Sequence, residues 1–166
     1  MMLSFLPRMI RPAIYWSLLC ILSFTLWVAP AWAEDYDRVN LSHSDLSKQD
    51  LRDASFNHSN LRYTDLHQAN LAGVSLFGSK LKGANLAGAD LRVATLDNTE
   101  LVDVNLNDAV LEGAYAHSAQ FQGATIVGAD FTDVDLRSDA QALLCSVADG
   151  VNPVTHRATR DTLNCD

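Results

Sequence analysis

From residue 41 to residue 136 every fifth position is apolar, without a slip in register. The series opens Leu41, Leu46, Leu51, Phe56 and closes Phe121, Ile126, Phe131, Leu136, and Ala116 is its one small member. Two residues ahead of each lies a second series that runs from Val39 and Ser44 to Ala129 and Val134; all of it except Gln49 is Ala, Ser, Thr or Val. The residue between the two series is mostly Asn, Asp, Ser or Thr. A period of five fits neither an α-helix, at 3.6 residues per turn, nor a strand, whose side chains alternate every two. Wound as a helix, the leucines would point to all sides and no face could be buried. An unbroken short repeat instead predicts a solenoid, in which each unit stacks only on its neighbours. Each unit makes one short extended side and one corner. The large residue points inward from the side, the small one points inward near the corner, and the other three face water. Gly73, Gly78, Gly83, Gly88, Gly113, Gly123 and Gly128 all fall two residues after the inward centre, where a tight corner favours glycine.

The run Ala84-Asn85-Leu86-Ala87-Gly88-Ala89-Asp90-Leu91-Arg92 resembles the A-(D/N)-L-x-x pattern of pentapeptide repeat proteins, and about twenty consecutive units share it. The resemblance implies an all-β solenoid, a right-handed quadrilateral parallel β-helix with four units per turn, and hence about five coils over residues 34–138. At roughly 4.8 Å between stacked strands the rod is about 24 Å tall. Residues twenty apart should then form ladders. One column reads Leu41, Leu61, Leu81, Leu101, Phe121, and another Leu51, Leu71, Leu91, Leu111, Phe131. Each buried side chain contributes about 1.5–3 kcal/mol. Ala116 should leave a gap, with Phe121 and Phe131 at the same end compensating in volume.

Ahead of the repeat, Arg8 and Arg11 precede an apolar run from Ile14 to Trp32 that ends Ala31-Trp32-Ala33 before Glu34. This has the three parts of a secretory signal peptide over residues 1–33, with cleavage after Ala33 and the mature chain starting at Glu34. The competing reading is an uncleaved membrane anchor, for which the run is nearly long enough; Pro30 and the Ala-x-Ala ending argue against it. Cys20 follows Leu18-Leu19, not the small residues of a lipoprotein site, and Arg8 and Arg11 are not adjacent as a twin-arginine signal requires. Tyr36 and Val39 are expected to cover the open end of the first coil.

The repeat ends at Leu136. Ser138 and Gln141 have capping-box spacing. Ala140, Leu143, Leu144 and Val147 give a helical face stopped by Gly150, Asn152-Pro153 makes a turn, and Thr159 opens a second short helix. Residues 139–166 therefore read as a helical cap over a β-edge that would otherwise invite association. Cys145 and Cys165 remain after loss of the leader; with His156 they match no usual zinc spacing, and an oxidising compartment favours a disulfide over metal or free thiols. The tail, with Asn152-Pro153-Val154-Thr155 between the cysteines, resembles that of small pentapeptide repeat proteins exported to the thylakoid lumen of cyanobacteria and chloroplasts.

The net charge is −8, and loss of Arg8 and Arg11 with the leader takes it to −10. Excess acid favours solubility and repels nucleic-acid phosphates and anionic lipids. No nucleophile elbow, zinc-protease, phosphate-loop or dinucleotide motif occurs, and His43, His58, His67 and His117 fall in different outer columns. The reading is therefore of a non-enzyme with no cofactor, no metal site and no stable membrane insertion after cleavage, a monomer or weak dimer in the thylakoid lumen or periplasm. Its partner would be an unidentified protein. Phe77, Val102, Val110, Tyr115 and Val127 are apolar at outer positions. Phe77 with Tyr115, and the basic stripe Arg62, Lys80, Lys82, are the candidate partner surfaces. Some pentapeptide repeat proteins are acidic rods that occupy the DNA site of type II topoisomerases. That alternative fits the charge but not the export signal.

Overall fold

The computed structural model describes residues 34–52 and 54–165. The signal-peptide reading, with Ala31 and Ala33, lies outside them. Parallel bridges join residues twenty apart, from Asp35 with Ser55 to Tyr115 with Asp135, so each coil takes four units. They are single bridges because each side offers only one or two extended residues before the chain turns.

One unit shows how the pattern folds itself. Leu81 N donates to Glu100 O at 2.9 Å and Gly83 N to Val102 O at 2.9 Å, both in the next coil. Asn85 N donates back to Thr64 O at 3.0 Å, and Ala84 N closes a turn on Leu81 O at 2.9 Å. The third residue of this turn has positive φ, as a type II turn requires. The corners at Gly73, Gly78, Gly83, Gly88, Gly113, Gly123 and Gly128 have this conformation, but so do Arg38, His43, Tyr63, Gln68 and even β-branched Val93 at +50°. At several of the glycine corners a side chain of the neighbouring coil occupies the place a Cβ would take. A Cβ at Gly83 would sit 2.6 Å from the Tyr63 ring, and one at Gly78 would sit 2.6 Å from His58.

The turn leaves one amide unused, that of the residue after the centre. The Asn or Asp before the centre accepts it, as in Ser47 N to Asp45 Oδ1 at 2.9 Å, His67 N to Asp65 Oδ1 at 3.1 Å and Asn107 N to Asn105 Oδ1 at 3.1 Å. This is the physical reason for the polar residue between the two inward series: its short side chain folds back onto the backbone two residues on. In the middle coils the small inward residues are buried, and the hydroxyls of Ser59, Thr64, Ser79 and Thr99 are satisfied by turn carbonyls. Thr64 Oγ1 donates to Leu41 O at 2.8 Å and Thr99 Oγ1 to Leu76 O at 2.8 Å. The inward leucines from Leu61 to Leu111 are fully buried and form one continuous core. Ala116 is buried too, and Phe121 and Phe131 meet edge to face at 6.4 Å across the last coil.

Among the described corners, Ser118 alone leaves the left-handed conformation. In the regular pattern its amide would donate to the carbonyl of residue 137. That carbonyl instead accepts Gln141 N at 2.9 Å as the first bond of a helix, so Ser118 N turns to Asp97 Oδ1 at 3.3 Å. The helix is α1, Ser138–Cys145, and a second, α2, spans Thr159–Thr162.

The tail differs from its sequence reading in two respects. The N-cap of α1 is Arg137 and makes no side-chain cap bond, so there is no capping box; Gln141 Nε2 instead donates to Leu163 O at 2.7 Å, past the end of α2. The helix also stops at Cys145, five residues before Gly150, and of its expected apolar face only Leu144 is buried, with Val147 51% exposed. At the other end of the stack neither residue expected to cover the first coil lies over it: Tyr36 is an inward residue of that coil, stacked on Phe56 at 5.0 Å, and Val39 is exposed. A disulfide joins Cys145 and Cys165, with Cα atoms 5.6 Å apart.

Candidate interaction surfaces

The tail binds the last coil through Asn152. In sequence Asn152 reads as an ordinary turn residue, yet its side chain is fully buried. Its Nδ2 lies 2.8 Å from Gly128 O, 3.1 Å from Asp108 O and 3.3 Å from Ala109 O. Its Oδ1 accepts Val154 N at 2.9 Å and Thr155 N at 3.0 Å. Beside it Gly128 N donates to Asp149 O at 2.8 Å, and Phe131 N to Thr162 Oγ1 at 3.1 Å, so amides with no further coil to pair with find partners in the tail. Asn152→Ala leaves several of these groups unpaired at once. It is expected to cost about 2 kcal/mol, within the range for an unsatisfied buried group, measured by chemical denaturation with hydrogen exchange reporting first on residues 138–165.

The same contact buries two outer residues. Val110, expected as an exposed apolar exception, is only 7% exposed, because its column runs under the tail. Asp130, bridged to Val110 through the backbone, is fully buried. Burial pushes its carboxyl up, but the Thr132 hydroxyl and amide and the Arg157 guanidinium outweigh this and hold it below the usual carboxylate range. Arg157 reaches Asp130 Oδ2 at 3.4 Å and Glu112 Oε1 at 3.3 Å, tying the tail to two coils.

The exposed sides carry the candidate partner residues. Arg62 pairs with Glu100 at 2.7 Å and Lys82 with Asp103 at 3.7 Å, with Lys80 exposed between them. The basic stripe is thus a strip of alternating charge. It borders a stacked pair, His43 on Tyr63 at 5.1 Å, whose tyrosine is 53% exposed. On another side Phe77, 38% exposed, packs edge-on against His58 at 5.5 Å, while Tyr115 is 54% exposed and His117 reaches Asp135 at 3.3 Å. A third side holds an open groove of about 680 Å³ whose lining includes Asp65, Asn85, Asn105 and Asp108, overhung by Pro153 and Val154. Its floor is a ladder in which Asn85 donates to Asp65 at 3.0 Å and Asn105 to Asn85 at 3.1 Å. No short motif marked the groove, because its overhang is contributed from the tail. Among the described residues no group of three or more His, Cys, Asp or Glu is placed to hold a metal ion.

The family model "Pentapeptide repeats (8 copies)" matches residues 40–76, 75–113 and 99–137. A crystal structure of a pentapeptide repeat protein from the Arabidopsis thaliana thylakoid lumen is 47% identical in sequence, with a TM-score of 0.76, over 79% of this chain and 91% of that one. The Arabidopsis thaliana thylakoid lumenal 15 kDa protein 1, chloroplastic, is 65% identical over 37 residues, 22% of this chain and 16% of that protein. QnrB1, a plasmid-mediated fluoroquinolone resistance protein, aligns at 14% identity and a TM-score of 0.30, too low to bear on function.

Proposed function

Since the chain belongs to the pentapeptide repeat family, we propose that it is a non-enzymatic protein-interaction module of the thylakoid lumen. In this reading residues 1–33 are a signal peptide, the mature protein begins at Glu34, residues 34–138 form a rod of about five coils, and residues 139–166 form its disulfide-linked helical cap. The observation that carries the reading is the 47% identity to a thylakoid-lumen protein across 91% of that protein's length. The geometry supports it. The core is filled by side chains, so the surfaces on offer are the outer sides of the coils, where Tyr63, Phe77 and Tyr115 stand among paired charges. Exposed aromatics beside charged groups suit protein contacts. The faces proposed for a partner are the one with Arg62, Lys80 and Lys82 and the one with Phe77 and Tyr115.

The test is affinity capture of the tagged protein from fractionated thylakoid membranes and lumen, with its N-terminus read by mass spectrometry. The expected result is a chain starting at Glu34 in the lumen fraction, together with a co-purifying protein that is lost on Tyr63→Ser with Arg62→Ser, or on Phe77→Ser with Tyr115→Ser. A chain retaining Met1 in the membrane fraction, or a capture profile indifferent to both pairs of substitutions, would overturn it.

A further inference from the structure

The two ends of the coil stack are unlike. The last coil is bound by the tail, whereas no described residue lies over the first. In the second coil Phe56, Leu61 and Leu66 are at most 1% exposed, while in the first Leu51 is buried at 4% and Tyr36, Leu41 and Leu46 are only partly buried. The backbone agrees. Asn60 N donates to Val39 O at 2.9 Å, Asp65 N to Ser44 O at 2.9 Å and Asn70 N to Gln49 O at 2.9 Å. The corresponding amides of Asn40, Asp45 and Asp50, and the carbonyls of Asn40, Ser42, Asp45 and Ser47, have no backbone partner among the described residues. An apolar centre edged on three sides by donors and acceptors with no backbone partner among the described residues is a template for another β-edge. A second end of the same size and shape matches it.

Charge decides whether two such ends can meet. Two copies related by a two-fold axis across the rod run antiparallel at the junction. Only four registers keep the inward residues Tyr36, Leu41, Leu46 and Leu51 facing inward on both copies. Three of them set aspartates against each other: Asp35 opposite Asp37, Asp37 opposite Asp45, or Asp37 opposite Asp50. Hydrogen bonds from Ser55 to Asp37 and from Ser47 to Asp45 hold these carboxyls below the usual carboxylate range, so both are charged at neutral pH. The fourth register opposes no like charges. It sets Asp45 against Arg52, Ser47 against Asp50, Asp37 against Asn40 and Glu34 against His43, with Tyr36 facing Leu41 and Leu46 facing Leu51. Arg52 also pairs with Asp50 at 2.6 Å on the exposed rim.

We propose that the first coil is a self-association surface, through which two copies join end to end in the register that sets Asp45 against Arg52. Like charges brought face to face repel, so the rim selects the register while the apolar centre and the paired edges hold it. The association leaves the sides of both rods open and does not depend on their binding a partner.

The experiment uses protein recovered after export and processing in a host, its N-terminus checked by mass, and follows sedimentation velocity from micromolar to millimolar concentration. Wild type should sediment as a dimer. Asp45→Arg should weaken the dimer on the order of tenfold or more, and Asp45→Arg with Arg52→Asp should restore it. Circular dichroism and thermal unfolding of the same samples confirm that the rim variants remain folded. Any of three results would overturn the inference: a wild-type monomer throughout, including one that has kept residues 1–33; a dimer indifferent to Asp45→Arg; or a double variant no tighter than the single one.

Discussion

Leu91→Ala should lose about 2–5 kcal/mol of stability, as buried leucines do when truncated to alanine, while Arg92→Ala next to it should lose under about 0.5 kcal/mol. Leu91 is fully buried in the middle of its column, with coils above and below to prevent collapse into the space it leaves. Its amide donates to Val110 O at 2.7 Å, so the backbone is held in place when the side chain is cut back. Arg92 makes its contacts at the surface, pairing with Asp90 two residues back in sequence. Such exposed pairs contribute little. Chemical denaturation of the two variants side by side decides the matter, and equal losses would mean that the five-residue pattern does not sort inside from outside.

The second large effect belongs to the tail. Cys165→Ser, or reduction, should destabilise the tail by roughly 3 kcal/mol, the entropy of closing a loop of this length in the unfolded chain. The disulfide spans 20 residues and ties the end of α1 to the segment after α2. Few apolar groups back it up, chiefly Leu144, Ala148 and Leu163, with Asn152 as the polar anchor. The tail should therefore loosen while the coils persist. Hydrogen exchange should quicken first over residues 138–165, with most of the β signal retained in circular dichroism. The amides of Gly128 and Phe131, which lean on Asp149 and Thr162, would then be free to pair with another edge, and the reduced protein should associate more readily. Unchanged exchange across the tail after reduction would rule this out.

The repeat was legible in the sequence because in a solenoid local pattern and tertiary contact are the same thing. Every unit meets a near-copy of itself twenty residues on, so a single five-residue rule determines which side chain is inside, where the corner falls and what stacks on what. Leu91 and Arg92 could be sorted from that rule alone. It also contained the Asx bonds, visible as a run of Asn and Asp before each centre, although their purpose appeared only with the one amide the turn leaves unpaired. The tail has no such repetition, and there composition misled. Ser138 and Gln141 have the spacing of a capping box, but Arg137 holds the N-cap position and Gln141 serves a carbonyl beyond α2. Leu143 and Val147 have helical spacing, but only Leu144 is buried, and they stay 38% and 51% exposed. Asn152 before a proline reads as a turn, and nothing adjacent in sequence shows that its amide reaches carbonyls more than twenty residues upstream. Val110 reads as exposed until the tail lies over it. The sequence by itself determined the solenoid, its register and its core, because those follow from contacts repeated at a fixed interval. Only the tertiary structure decided how the tail closes the last coil, because those contacts are made once, between segments with no periodic relation.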